Sequence, residues 1–204
     1  MTSIVVVSAG LSNPSSTRLL AERLADATVD ALEEAEVTHI ELRDVAHELT
    51  DHLLTGFPGP ALAEAVEAVR HADGLIAVTP VFSASYSGLF KTFFDVLETG
   101  LLDGTPVLVA ATAGTPRHSL VLEHAMRPLF AYLHAVVVPT GVFAATEDFA
   151  GGDLHARVER AAGELAALAG KVGSADGARR RRTVEDDLAD PTPFEELLRR
   201  ASGG

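Results

Sequence analysis

Ile4-Val5-Val6-Val7, followed by Ser8-Ala9-Gly10-Leu11-Ser12-Asn13-Pro14-Ser15-Ser16-Thr17-Arg18, decides the fold. Four apolar residues with no polar alternation read as a strand buried on both faces. Small hydroxyl residues and a proline then mark a turn, and Leu20, Leu24, Ala27 and Leu32 trace the apolar stripe of a helix. A strand hidden on both sides needs helices above and below it, which is the arrangement of a parallel sheet.

The pattern continues along the chain. A strand with alternating sides is expected over 37–42, and 43–59 read as irregular, punctuated by Phe57-Pro58-Gly59-Pro60. A helix over about 61–71 leads into Gly74-Leu75-Ile76-Ala77-Val78-Thr79, the third strand. The next helix gathers Leu89, Phe90, Phe93, Phe94 and Leu97 on one face and spaces Lys91 and Asp95 for an i,i+4 pair. A fourth strand over 106–111, a helix over 119–132, a fifth strand over 135–138 that resumes at Val142, and a helix over 153–172 complete the series. The expected architecture is α/β: a flavodoxin-like, doubly wound, five-stranded parallel sheet with helices on both faces. Residues 1–172 form that domain, and 173–204 read as a polar linker and a short C-terminal helical tail carrying Phe194, Leu197 and Leu198.

Composition narrows the function. The chain has 204 residues and is 47% hydrophobic, enough for one well-buried domain. No apolar run is long enough to span a bilayer, and Ile4 to Val7 has no basic region before it, so it reads as a strand and not a signal peptide. The absence of cysteine excludes disulfides, thiolate metal sites and a cysteine nucleophile, and it fits a cytoplasmic location. A net charge of −13 disfavours nucleic acid as a partner. The basic run Arg179 to Arg182 is followed by Glu185, Asp186, Asp187 and Asp190, and reads as a solvated linker. No metal site is expected.

Ligands of doubly wound sheets bind beyond the carboxyl ends of the strands, where three loops stand out. The first, Ser8 to Arg18, offers hydroxyl groups at a helix N-terminus, where an anion is favoured; it reads equally as a capping loop. It is neither a dinucleotide fingerprint nor a Walker A loop, since the glycines are misplaced and Lys is missing. The second is Thr79-Pro80-Val81-Phe82-Ser83-Ala84-Ser85-Tyr86-Ser87-Gly88, in which Phe82 and Tyr86 either flank a flat ring or plug the core. The third, Thr112-Ala113-Gly114-Thr115-Pro116-Arg117-His118-Ser119, joins backbone-accessible turns to a cation. His118 alone is more often a surface or capping residue than a catalyst.

Taken together, these loops resemble those of the NADPH-dependent FMN reductase family, over about residues 3–172, and especially the reductases that serve two-component flavin monooxygenases. The most specific match runs from Thr79 through Gly88-Leu89-Phe90-Lys91 to Asp95, with Phe82 where a Tyr is commoner. Thr192 to Leu198 also resembles the tail of one subgroup. The resemblance implies that Ser8, Ser15, Ser16 and Thr17 hold the FMN phosphate. It sets the isoalloxazine against Pro80, Val81, Phe82 and Ser83 with Tyr86 and Ser87 near its edge, and lines the pyrimidine side with Thr112, Gly114 and Thr115. Arg18 and Arg117 are candidate contacts to the NADPH or NADH phosphates, Arg18 reading equally as an exposed first-turn residue.

The implied reaction is hydride transfer from NAD(P)H to FMN, and the implied partner is a flavin-dependent monooxygenase that receives the reduced flavin. A homodimer or homotetramer is expected, from apolar surface on the third and fourth helices. Pro128 cannot donate to the His124 carbonyl, so its helix must kink or widen. In relatives a widened turn there, often carrying Tyr, lies at the subunit contact near the flavin. The rival readings are a flavoprotein quinone, azo or chromate reductase and a flavodoxin-type electron carrier. A receiver domain is disfavoured because Thr79-Pro80 stands where its acidic phosphoacceptor belongs.

Overall fold

The computed structural model describes residues 1–32 and 34–174, together with Arg199. The opening apolar run lies in β1 (Thr2–Ser8), whose last five residues are all buried. Helix α1 (Ser16–Ala31) starts where the Ser15 side chain accepts the Arg18 N–H. Then follow β2 (Ala35–Glu41), α2 (Ala46–Thr55), α3 (Pro60–Arg70) and β3 (Gly74–Phe82). A two-residue strand β4 (Ser85–Tyr86), α4 (Gly88–Asp95) and β5 (Pro106–Ala113) come next. The chain continues through α5 (Arg127–Tyr132), β6 (Val136–Val137), β7 (Val142–Ala145) and α6 (Asp153–Ser174).

The strand order is β2-β1-β3-β5-β6, all parallel, and β7 pairs with β5 beyond β6. Because β6 and β7 share one edge of β5, they are two pieces of a single fifth position. The seven strands therefore resolve into the expected five parallel positions plus β4, which runs antiparallel to β3. Side chains alternate between two cores. Val5, Val7, Leu75, Ala77, Val107 and Val109 face the side of α2 to α5. Ile4, Val6, Ile76, Val78, Leu108 and Ala110 face α1 and α6. Helix α4 is only two turns long, yet Phe90, Phe93 and Phe94 are buried, with Phe94 packed edge-on against Phe130 at 4.9 Å. Burying each such ring contributes about 1.5–3 kcal/mol, so this aromatic cluster holds the short helix in place.

Four expectations need correcting. Residues 46–55, read as irregular, form α2; Leu49 alone is buried on it, too thin a stripe to show as periodicity. The third strand runs past Thr79 to Phe82, so the expected loop is a hairpin turning on Ser83 (φ 48°) and Ala84 (φ 68°). Two left-handed residues are what a tight two-residue hairpin requires, and neither is glycine. The helix expected over 119–132 is a five-residue π turn, Leu122–Met126, joined to α5. The last helix runs to Ser174; the rest of the expected linker and tail lies outside the described residues apart from Arg199.

The fifth position is broken at Val138 to Gly141 for visible reasons. Arg127 donates to the carbonyls of Val138 (2.9 Å) and Pro139, while Glu164 of α6 accepts from the Thr140 N–H (2.7 Å) and hydroxyl (2.8 Å). These side chains replace the ladder bonds that the break removes. A Cβ on Gly141 would lie 3.1 Å from Leu122 Cδ1, so glycine lets the break approach the start of the π turn.

Candidate functional site

The strand order reverses between β1 and β3, and the three singled-out loops leave the sheet at the carboxyl end on that side. The first loop begins at Ser8, which is 1% exposed; its hydroxyl is buried with no hydrogen-bond partner. An orphaned buried hydroxyl costs free energy unless a ligand completes it. Gly10 lets the loop fold down onto the helix start: a Cβ there would stand 2.2 Å from Ser15 Oγ and 3.3 Å from Thr17 Cβ. The Asn13–Pro14 peptide is cis. Ser15 caps α1, leaving the N–H groups of Ser16 and Thr17 without intrahelical partners. Ser16 is exposed and Thr17 buried.

Thr17 joins the first loop to the third. Its hydroxyl hydrogen-bonds the Thr112 hydroxyl at 2.8 Å, both groups being buried at the ends of α1 and β5. Beyond Thr112 the chain opens out. Gly114 is exposed with nothing within 4 Å of a would-be Cβ, Thr115 is half-buried, and Arg117 is exposed in the short helical turn Pro116–His118.

Thr79 fixes the second loop. Its hydroxyl donates to the Pro80 carbonyl (2.9 Å) and accepts the Ser87 N–H (3.0 Å), tying the strand exit to the start of α4. Ser87 is buried, and its hydroxyl accepts from the Phe90 N–H (3.2 Å), so it serves first as a helix cap. Pro80 and Val81 are half-buried, while Phe82 and Ser83 are exposed on the hairpin. Phe82 lies opposite Ser85 and Val81 opposite Tyr86, so the two aromatic rings project from opposite faces of the hairpin. Tyr86 leans on Phe90 at 5.7 Å, whereas Phe82 is 47% exposed. The two rings therefore do not flank one flat ligand within this chain. Only Phe82 is presented outward.

Arg18 is exposed and directed along its own helix, with Nε 2.8 Å from Glu22 and 4.0 Å from Glu41. Sequence reasoning passed over Glu41. It ends β2 in register with Ser8, and its side chain is only 16% exposed. Burial pushes that carboxyl above the usual carboxylate range, against the opposing pull of Ser8 and Arg18. The strand-end rule that picked out the three loops applies equally to β2, so its last residue was a findable candidate.

The site as built offers an anion pocket of hydroxyl and helix N–H donors. Beside it stand a rigid hairpin with an outward ring and an open third loop. The donor set fits a phosphate monoester: all donors at the α1 start are neutral, helix-oriented and in part unpaired.

Comparison with known proteins gives concordant results. The profile of the family described as NADPH-dependent FMN reductase matches residues 2–150. An FMN reductase (NADPH) of Pseudomonas aeruginosa is 38% identical over 172 residues, covering 82% of this chain and 92% of its own. An NADH-dependent FMN reductase SfnF of Pseudomonas fluorescens is 41% identical over 173 residues, covering 82% and 91%. The crystal structure of an oxidoreductase from Corynebacterium diphtheriae superposes with a TM-score of 0.82 at 49% identity, covering 84% of this chain and 98% of that one.

Proposed function

This chain belongs to the NADPH-dependent FMN reductase family, and from that premise we propose that it oxidises NAD(P)H, reduces FMN and supplies the reduced flavin to a flavin-dependent monooxygenase. The observation that carries the cofactor assignment is the buried, unpartnered Ser8 hydroxyl beside the open N-terminus of α1. FMN, when bound, supplies the hydride acceptor, and hydride transfer between two flat rings demands little acid–base machinery from the protein.

The chain's own groups bind and orient. Ser8, Ser15, Ser16 and Thr17 hold the phosphate, with the α1 dipole adding to their hydrogen bonds. The Thr17–Thr112 bond fixes the spacing between the phosphate end and the third loop. Pro80 to Ser83 form one wall, stiffened by the Thr79–Ser87 bond, with Tyr86 and Ser87 behind it. Thr112, Gly114 and Thr115 offer backbone groups along the ring's polar edge, and Arg117 supplies a cation for the pyridine nucleotide's phosphates. Arg18 serves the same role once released from Glu22.

Leu11, Phe82 and Leu120, each between 47% and 61% exposed around the site mouth, support assembly with a second copy as dimer or tetramer. The need for a reduced nicotinamide pool supports a cytoplasmic setting. Among the described residues no helix is long and apolar enough to cross a membrane.

Stopped-flow mixing of the FMN-loaded protein with NADPH, and separately with NADH, tests the reading: the flavin's visible absorbance bleaches in at least one case. Folded protein that binds FMN but never bleaches it is not a reductase. Turnover with a quinone far above that with added FMN would move the assignment to the quinone-reductase reading.

A further inference from the structure

Among the described residues, Glu41 is the carboxylate at the end of β2 beside Ser8, at the proposed phosphate end of the cradle. It lies directly across from Ser8 in the β1–β2 register, and the Leu42 N–H donates to the Ser8 carbonyl (2.9 Å), which pins the two strand ends together. The Ser8 hydroxyl is near enough to the carboxyl to favour its charged form without reaching hydrogen-bond geometry. Two positive groups offset that charge in part. Arg18 of α1 stands 4.0 Å away but is closer to Glu22, and His39 lies on the same strand. Asp44 opposes it from the turn after β2. Glu64, Glu67 and His71 of α3 line the groove that the β2 end borders.

A dianionic phosphate monoester entering beside Ser8 meets this carboxylate at short range. Two like charges within a few ångströms disfavour each other's ionisation, and the weaker acid takes up a proton. We propose that capture of the FMN phosphate is coupled to uptake of one solvent proton at Glu41, which makes Glu41 the residue that sets the pH dependence of flavin capture and release. This rests on the phosphate-cradle reading above. Its consequence suits a flavin that must leave: as pH rises and Glu41 ionises, repulsion loosens the phosphate end. Burial, which already holds the empty-site carboxyl above its usual range, brings that event closer to neutrality.

The sign is separable from the phosphate's own titration. A phosphate monoester loses its second proton near pH 6, which strengthens binding at a helix N-terminus as pH rises. The Glu41 effect runs the opposite way. Dissociation constants from flavin fluorescence quenching, measured for wild type and Glu41→Gln at about pH 5 and about pH 8 with FMN and with riboflavin, distinguish the two.

The expected result is that Glu41→Gln tightens FMN about tenfold at the higher pH, one pKa unit's worth of coupling. The effect on FMN is smaller at the lower pH, where more of Glu41 carries its proton. Riboflavin, lacking the phosphate, is unaffected at both. Calorimetry in two buffers of different ionisation enthalpy should show wild type taking up more protons per FMN bound than Glu41→Gln. An equal FMN ratio at both pH values, an equal shift for riboflavin, or identical proton counts overturns the proposal while leaving the cradle intact. Failure of wild type to bind FMN at all defeats the cradle and this proposal together.

Discussion

Thr17 and Thr112 come from loops 95 positions apart and meet through a single buried hydrogen bond. Thr17→Val or Thr112→Val strands the surviving hydroxyl in a buried place, a cost of about 1–3 kcal/mol. The double substitution removes both polar groups, so it should cost less than the sum of the singles, as chemical denaturation of the four proteins will measure. Glu41 makes a second prediction at this scale. A carboxyl whose pKa is raised on folding contributes stability at low pH that is lost as pH rises through its folded value. Glu41→Gln should therefore raise the melting temperature near neutrality, and the difference should vanish below about pH 4. Of these residues, Thr17 was legible as a hydroxyl at the start of α1 and Thr112 as one at the end of a strand, but their pairing was not. Ser87 was legible as part of a motif, though its role as a helix cap became visible only with Phe90 in place. Phe82 and Tyr86 were legible as rings, but their faces depend on a hairpin whose two-residue turn lacks glycine.

The π turn at Leu122–Met126 is the element whose origin is clearest. Pro128 has no N–H to give His124, and the register is recovered by a longer bond, Arg127 N–H to the Leu122 carbonyl. The widening was therefore foreseeable, but what sustains it was not. Arg127 reaches from just beyond the turn to the broken fifth strand, and Gly141 brings that break against Leu122. Gly141→Ala places a Cβ 3.1 Å from Leu122 Cδ1 and 3.4 Å from the Val109 carbonyl. Leu122 must move, at a cost of about 1–3 kcal/mol. A lowered melting temperature and faster amide exchange over 122–127 are the expected outcomes. Helix α2 is the opposite case, nearly silent in the sequence. It is held mainly by Leu49 and by Glu48, which accepts the Leu62 N–H (2.7 Å) at the start of the next helix.

At the scale of the molecule, one buried charge ties two neighbouring helices of the same layer together. Arg70 is 4% exposed at the end of α3 and pairs with Glu98 beyond α4 (2.8 Å) and with Glu67 (3.2 Å). Arg70→Ala removes a buried guanidinium whose acidic partners, Glu98 and Glu67, stay in reach of water, so equilibrium unfolding should show a loss of about 1–3 kcal/mol from lost charge-assisted hydrogen bonds and stem packing. By itself the sequence determined the class of sheet, the alternation of its five parallel strands with helices, and the three strand-end loops singled out as candidates. Each of these follows from local periodicity and turn chemistry, which neighbouring residues set among themselves. Only the tertiary structure decided which hydroxyls are buried unpartnered, which rings face outward, how the fifth strand breaks, and that a glutamate stands beside Ser8. Those depend on burial and on charges brought together from distant positions, and a one-dimensional pattern has no term for the dielectric or the neighbours a side chain will meet after folding.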